Sequence, residues 1–205
     1  MDKEASGFNT KQTVAIVGLG LIGGSYARGL RRLGVDHIIA VDPDEKALQQ
    51  AKQEGMVDDI YTAGTEALKQ ADLVIFCTAA DVMIRFLAEN KAFFTPGTIL
   101  TDVAGIKGDT ATAIAALLPE GVDFVPGHPM AGREGRGYAM ASADIFNGAN
   151  YILVPMEGND EEHILAVKNM AMALGCSHVV RVTPEDHDRF IAYTSSLPHV
   201  LATAL

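Results

Sequence analysis

Three glycines near the amino terminus have the spacing of a phosphate-binding turn. They follow the apolar run Thr13 to Val17 in the pattern G-x-G-x-x-G. In such a turn the first glycine permits a sharp bend, the second lets a pyrophosphate approach the backbone, and the third lets helix and strand pack closely. Free amides and the positive end of the helix dipole bind phosphate without a cationic side chain. The predicted dinucleotide site comprises Gly18, Leu19, Gly20, Leu21, Ile22 and Gly23.

One carboxylate indicates which dinucleotide binds. The run His37 to Val41 is typical of a buried strand, and Asp42 follows it, nineteen residues after Gly23. A carboxylate there accepts hydrogen bonds from ribose hydroxyls and repels a 2′-phosphate, which favours NAD over NADP as the cofactor. Two alternatives stay open: the glycines mark an ordinary turn, and Asp42 caps the helix that begins near Pro43.

A histidine between glycine and proline is the candidate for proton transfer. His128 follows a strand predicted over Asp123 to Pro126, and the adjacent proline excludes a helix interior. We therefore expect His128 at the end of that strand, on the sheet edge that holds the cofactor. Imidazole titrates near neutral pH, which suits a group that accepts or shares a hydroxyl proton. A purely structural histidine is the alternative.

The elements that position these residues alternate between strand and helix. This order predicts an α/β fold with a Rossmann-type, doubly wound, mainly parallel sheet. The apolar run Ala71 to Thr78 suits a central parallel strand, and Ile99 to Val103 is the next strand. The carboxyl ends of these two strands are expected beside the nicotinamide half of the cofactor, and they contain Thr78, Ala79, Ala80, Val103 and Gly105.

Composition excludes several classes of function. The chain has 205 residues and a net charge of −10, which argues against nucleic acid as a partner. No run of eighteen apolar residues occurs and the first residues are polar, so we expect no membrane association and a cytoplasmic location. Cys77 and Cys176 lack the spacing of metal ligands, which predicts buried thiols and no metal site.

The chain is expected to divide into three parts. Residues 1–10 are predicted to be a flexible terminus, 11–182 the dinucleotide-binding domain, and 183–205 the start of a helical domain. Thr183 and Pro184 are typical of a helix start, and Pro198 predicts a kink. The last helix is apolar around much of its circumference, which indicates a partner or a longer domain.

Taken in order, these motifs resemble the prephenate dehydrogenase family, of which the arogenate dehydrogenases are close relatives. The resemblance extends from Lys11 to Leu205 and includes TDVAGIKG, GHPMAGREGRG, TPEDHD and SSLPH. It implies NAD-dependent oxidative decarboxylation of prephenate to 4-hydroxyphenylpyruvate in tyrosine biosynthesis, with His128 as the catalytic residue. Family members carry a further helical domain after LPH that provides dimerisation, so the resemblance implies a truncated chain from a homodimer.

The resemblance also implies the residues that bind the small-molecule substrate. They are Glu134, His187, Ser196 and His199. For three of them a structural alternative stays open: Glu134 as a solvated loop charge, His187 as a polar residue on an exposed helix face, and His199 as a hydrogen-bond donor at the kink.

The chain departs from the family pattern at two positions. Gly105 stands where many members have a serine whose hydroxyl assists the histidine, and Ser196 stands where some have histidine. Lys107 resembles a lysine of the family and either supports the site or is a solvated charge.

Three other functions compete with this interpretation. Arogenate as substrate keeps the fold and the chemistry. A β-hydroxyacid dehydrogenase would need a catalytic lysine on the helix after Thr183, and no lysine lies between Thr183 and Leu205. A non-catalytic module that senses NAD would bind the cofactor without turnover, and His128 would then be dispensable.

Overall fold

The computed structural model describes residues 7–196, and its largest element is a six-stranded parallel sheet. Its strands stand in the order β3-β2-β1-β4-β5-β6. Their bounds are β1 Thr13–Val17, β2 His37–Val41, β3 Asp59–Tyr61, β4 Leu73–Phe76, β5 Ile99–Asp102 and β6 Asp123–Phe124. The order reverses between β1 and β4, and ligands of open α/β sheets bind outside the carboxyl ends of the strands at such a point.

Helices cover both faces of this sheet, as a doubly wound fold requires. They are α1 Leu21–Leu33, α2 Glu45–Gln53, α3 Ala80–Asn90, α4 Gly108–Ala115, α5 Glu161–Leu174 and α6 Pro184–Ile191. Alternate residues of β1 belong to different hydrophobic clusters. Val14 and Ile16 pack in the cluster that contains residues of α1 and α5, whereas Ala15 and Val17 pack in the cluster that contains residues of α3 and α4. The predicted fold class is confirmed.

The last three strands form a second sheet, which corrects the expectation of one continuous sheet. Its strands are β7 Gly127–Met130, β8 Asn150–Leu153 and β9 His178–Arg181. β7 is antiparallel to β8, and β8 is parallel to β9. The chain leaves the main sheet at Val125 and Pro126, where the Pro126 carbonyl accepts a bond from Val154 N. His128 consequently lies inside a strand of the second sheet and not after the last strand of the first.

The segment between β7 and β8, residues 131–149, is fixed onto α1. Tyr138 and Phe146 are buried, the Tyr138 hydroxyl donates to Glu54, and the Ser142 amide donates to the hydroxyl of Ser25 in α1. Only the glycine-rich part at residues 132–137 is exposed throughout. The rest of the segment packs against the domain.

The helix start predicted at Thr183 is confirmed. The Thr183 hydroxyl accepts from Asp186 N, and Pro184 occupies the first turn, where its missing amide costs no hydrogen bond. The chain continues from α6 as a π-helix over Ala192–Ser196. The kink expected at Pro198 lies outside the described residues.

Candidate functional site

The three glycines of the turn between β1 and α1 meet different steric conditions. Gly18 has a φ of +94°, and a Cβ there would lie 2.8 Å from the Cys77 carbonyl oxygen. A Cβ at Gly23 would lie 1.8 Å from the Gly18 carbonyl oxygen. A Cβ at Gly20, in contrast, would have no heavy atom within 4 Å. Gly18 and Gly23 are therefore needed by the turn itself, whereas Gly20 leaves open space in front of the helix.

A cavity of about 700 Å³ lies against this turn, at the carboxyl ends of β1, β2 and β4. This volume falls in the range of small-molecule and cofactor sites. Thr78 lines this cavity, and its buried hydroxyl has no hydrogen-bond partner among residues 7–196. The predicted residues that line the cavity are Gly18, Gly20, Asp42 and Thr78.

Asp42 connects the glycine turn to the end of β2. One carboxylate oxygen accepts from Leu19 N at 2.5 Å, and the other accepts from Asp44 N at 2.8 Å. The side chain that caps α2 is Asp44, which accepts from two amides of the first turn. The capping alternative for Asp42 is therefore wrong.

The other residues predicted at the cofactor have different positions. Leu19 is a core residue with 1% exposure, and its amide is bound to Asp42. Ala79 and Ala80 begin α3, and Leu21 and Ile22 begin α1. Val103 and Gly105 lie on the loop after β5, on the side of His128.

Three side chains form a hydrogen-bonded row that ends at His128. Asp188 lies 2.8 Å from Nδ1 of His187, and Nε2 of His187 lies 2.9 Å from Nδ1 of His128. A carboxylate only accepts, so the proton of a neutral His187 resides on Nδ1 and its Nε2 accepts from Nδ1–H of His128. Nε2 of His128 is then left with a lone pair. In this arrangement His128 can accept a proton at Nε2.

The alternative that places His187 on an exposed helix face is wrong. His187 is 0% exposed and lies in the interface between α6 and β7. Asp188 also accepts from the backbone amides of Lys107 and Gly108, both at 2.8 Å. The row is thereby anchored to the start of α4.

The surroundings keep the His128 imidazole neutral. Burial lowers its pKa to about 4, and the positive charge of Lys107 and the neighbouring His187 act in the same direction. Burial raises the pKa of Asp188, but hydrogen bonds from His187 and from the amides of Lys107 and Gly108 outweigh this effect, and the net shift is downward. At neutral pH the row therefore joins a carboxylate to an uncharged imidazole.

Gly105 lies opposite the free nitrogen of His128. A Cβ at this position would be 3.9 Å from Nε2 and 3.8 Å from Cε1. Gly105 is exposed, and its missing side chain leaves the space beside the imidazole open. A hydroxyl at this position would reach Nε2, so the departure at Gly105 bears directly on the base.

Among the other predicted substrate residues, only the side chain of Glu134 lies in the described part of the chain, and it has no hydrogen bond to His128 there. Glu134 is exposed and has no hydrogen bond or ion pair within residues 7–196. The backbone of Ser196 ends the π-helix, and His199 lies outside the described residues. Their part in substrate binding stays a prediction.

Two features of the site were not assigned from the sequence. Asp188 stands next to His187 in TPEDHD, and an acid adjacent to a site histidine was the available signal. The burial of Lys107 had no such signal, because a lysine is almost always exposed unless a partner distant in sequence pairs with it.

The part of the chain that the structure describes contains no cluster of three or more His, Cys, Asp or Glu that could hold a metal. Across residues 7–196 no helix is long and apolar enough to cross a membrane.

Comparison with known proteins identifies the family of this chain. The family model "Prephenate dehydrogenase, nucleotide-binding domain" matches residues 26–180. Prephenate dehydrogenase of Bacillus subtilis is 32% identical over 202 residues, which cover 95% of this chain and 53% of that protein. The chain thus spans about half the length of this curated relative.

Solved structures of two enzymes share the fold. Prephenate dehydrogenase of Aquifex aeolicus, in complex with hydroxyphenyl propionate and NAD⁺, superimposes with a TM-score of 0.87 at 28% identity over 94% of this chain and 67% of that one. Synechocystis arogenate dehydrogenase gives 0.86 at 31% identity with the same coverage. On the family match over more than half of the chain, this chain belongs to the prephenate dehydrogenase family and contains its nucleotide-binding domain.

Proposed function

We propose that the complete protein catalyses the NAD-dependent oxidative decarboxylation of prephenate to 4-hydroxyphenylpyruvate. The observation that carries the proposal is the row Asp188, His187, His128, which leaves Nε2 of a neutral imidazole as a base beside the loop after β5. Family membership and the likeness to the Aquifex aeolicus enzyme support it.

The residues of the cavity fit NAD. The open space at Gly20 lets a pyrophosphate approach the start of α1, where no side chain caps the amides. Asp42 keeps lone pairs for ribose hydroxyls beyond its two backbone bonds, and the free Thr78 hydroxyl supplies a further donor. Bound NAD supplies the hydride acceptor of the reaction.

His128 holds the proton that the substrate hydroxyl releases. As hydride leaves the carbon that bears this hydroxyl, the oxygen becomes carbonyl-like and its proton becomes more acidic. The hydrogen bond from this hydroxyl to Nε2 of His128 is therefore stronger in the transition state than in the ground state. The Asp188 carboxylate, acting through His187, stabilises the imidazolium that forms. The bond to the ring carboxylate breaks, its electron pair enters the ring, and carbon dioxide leaves. Aromatisation drives the step.

Arogenate is the second candidate substrate. The Synechocystis arogenate dehydrogenase is as similar in structure to this chain as the Aquifex aeolicus enzyme. Arogenate carries an amine where prephenate has a keto group, on a side chain remote from the reacting hydroxyl. His128 would serve both substrates in the same way.

Steady-state turnover of the complete protein tests the proposal. Prephenate and arogenate are each assayed with NAD and with NADP, and we expect the highest kcat/KM for prephenate with NAD. A higher value for arogenate would assign the second candidate. NAD binding without turnover of either substrate would contradict the enzymatic function and favour a sensor module.

The variant His128→Asn separates catalysis from cofactor binding. Loss of the base is expected to lower kcat by about 10²- to 10⁴-fold, with the Kd of NAD unchanged. His178→Asn is the matched control, because His178 is exposed on β9. Turnover of H128N close to that of the unmodified protein would remove His128 from this role.

The proposal includes a homodimer in the cytoplasm. The support for the homodimer is the set of exposed apolar side chains on α6, on the π-helix and on the loop before α4: Phe190 at 46%, Tyr193 at 67% and Ile106 at 66%. Exposed apolar residues that lie together mark interaction surfaces. Sedimentation of the complete protein should give the mass of two subunits.

A further inference from the structure

A buried ion pair lies where the two sheets meet. Asp102 ends β5 and Lys107 precedes α4, and each side chain is 1% exposed. Nζ of Lys107 lies 2.7 and 2.6 Å from the two carboxylate oxygens and 2.6 Å from the Gly127 carbonyl oxygen. All three donors of the ammonium therefore have an acceptor. The interpretation of Lys107 as a solvated charge is wrong.

The same pair binds both backbone groups of Gly127. The Gly127 amide donates to Asp102 at 3.1 Å, and its carbonyl accepts from Lys107. β7 has a single neighbouring strand, β8, so the two side chains take the place of a second strand at the other edge of β7. A Cβ at Gly127 would lie 2.3 Å from the Tyr151 hydroxyl, so this position has no room for a side chain. Gly127 is therefore held through its backbone groups.

Asp102 also holds the loop on the opposite side of the imidazole. Its second oxygen accepts from Ala104 N at 3.0 Å, next to Gly105. One carboxylate thus fixes the residue before His128 and the residue before Gly105. These two segments form the walls around Nε2 of His128.

We propose that Asp102 and Lys107 act together as a positioning pair that fixes His128 relative to the carboxyl end of β5. The proposal rests on the function proposed above for His128. Displacement of a reacting group by about 1 Å costs on the order of 10²-fold in rate. Stability alone does not account for the pair, because the desolvation of two buried charges offsets most of their attraction.

The pair also affects the charge of the base. The titratable groups that act on His128 are Lys107, His187 and Asp188, and the charge of Lys107 is the largest of these influences after burial. Removal of that charge raises the pKa of His128 toward its ordinary value of 6.5. A charge remote from His128 would leave this pKa unchanged.

The double variant Asp102→Leu with Lys107→Met tests the proposal in the complete protein. Apolar residues of similar volume leave no buried charge without a partner, whereas removal of Asp102 or Lys107 alone would. The backbone groups of Ala104 and Gly127 lose their partners in the double variant, so we expect some loss of stability. We expect an unchanged circular dichroism spectrum, NAD Kd and substrate KM within about twofold, and kcat lowered about 10- to 100-fold. NMR titration should show a higher pKa for the His128 imidazole. Unchanged kcat and unchanged pKa in the folded variant would overturn the proposal.

A second variant serves if the double variant does not fold. Asp102→Asn keeps the shape, but its NH₂ must face one of the two backbone amides that Asp102 now accepts from, at Ala104 or Gly127. We expect kcat to fall at least about tenfold with KM unchanged, and hydrogen exchange at the Gly127 amide to accelerate. Asp109→Asn, at an exposed position of α4, is the matched control. Equal kcat and exchange rates in D102N and D109N would contradict the proposal.

The NMR measurements also separate the two hypotheses. The titration of His128 and the exchange of the Gly127 amide can be measured without turnover. If the unmodified protein converts neither substrate, the proposed function fails, while the exchange of the Gly127 amide still decides whether the pair holds the residue before His128.

Discussion

Asp42 shows how one side chain can serve the fold and the ligand together. Each carboxylate oxygen has two lone pairs, and one on each is used by the backbone amides of Leu19 and Asp44. The other two remain available at the wall of the cavity. Asp42 therefore fixes the glycine turn in the absence of a ligand. A turn that is already ordered loses less conformational entropy when a ligand binds.

The variant Asp42→Ser is expected to weaken NAD binding and narrow the preference over NADP. Serine has one hydroxyl in place of two acceptor oxygens and does not repel a 2′-phosphate, so we expect the Kd of NAD to rise about tenfold or more. Calorimetry with both cofactors measures the effect. Asp44→Ser is the control, because serine also caps a helix. An unchanged NAD preference in D42S would mean that another residue reads the ribose.

Among the secondary-structure elements, the turn between β1 and α1 contains glycines that the fold requires and a glycine that leaves space for a ligand. Gly23 is required because a Cβ would collide with the Gly18 carbonyl, which is backbone and cannot rotate away. Gly20 meets no such limit. Steric conditions thus explain Gly18 and Gly23 and leave Gly20 to be explained by a ligand.

Two alanine variants should therefore behave differently. Gly20→Ala is expected to keep the Tm and to raise the Kd of NAD at least about tenfold, because the Cβ fills the space of the pyrophosphate. Gly23→Ala should destabilise the fold by about 1 to 3 kcal/mol, the usual cost of overpacking. Thermal unfolding and calorimetry measure both. Unchanged NAD affinity in G20A would show that the pyrophosphate does not approach this residue.

At the scale of the whole molecule, the surroundings of His128 are assembled from four elements. β5 supplies Asp102, the start of α4 supplies Lys107, β7 supplies His128, and α6 supplies His187 and Asp188. Asp188 accepts a hydrogen bond from the amide of Lys107, and the two residues are 81 positions apart in the sequence. Packing of α6 against α4 is therefore a condition for the hydrogen bonds at His128.

This assembly predicts a pH dependence of stability. His128 has a pKa of about 4 in the fold and about 6.5 when unfolded. Between these values the unfolded chain binds the proton that the folded chain does not, so stability falls as the pH falls from 6.5 to 4 and is unaffected by this group above the window. The loss amounts to up to about 3 kcal/mol.

Urea unfolding across this window, compared between the protein and H128N, isolates the contribution. H128N lacks the titrating group and should lose less stability on acidification. Parallel curves for the two proteins would show that the pKa of His128 is not lowered.

The sequence by itself determined the strands and helices of the nucleotide-binding fold, and it placed Gly18, Gly20, Asp42 and Thr78 at one cavity. These features follow from local rules: apolar runs, helical periodicity, glycine spacing, and the alignment of carboxyl ends in a parallel sheet. The helix start at Thr183 was equally readable, because capping depends on neighbouring residues only.

Only the tertiary structure decided the surroundings of His128. The burial of Lys107, the partner of His187 and the second sheet all depend on which distant segments meet, and the local pattern around Lys107 is the same for a solvated charge as for a buried one. Hydrogen bonds and desolvation act between groups that are close in space. Asp188, acting through His187, determines which ring nitrogen of His128 carries the proton, although sixty residues separate Asp188 from His128. Sequence spacing does not encode this relation.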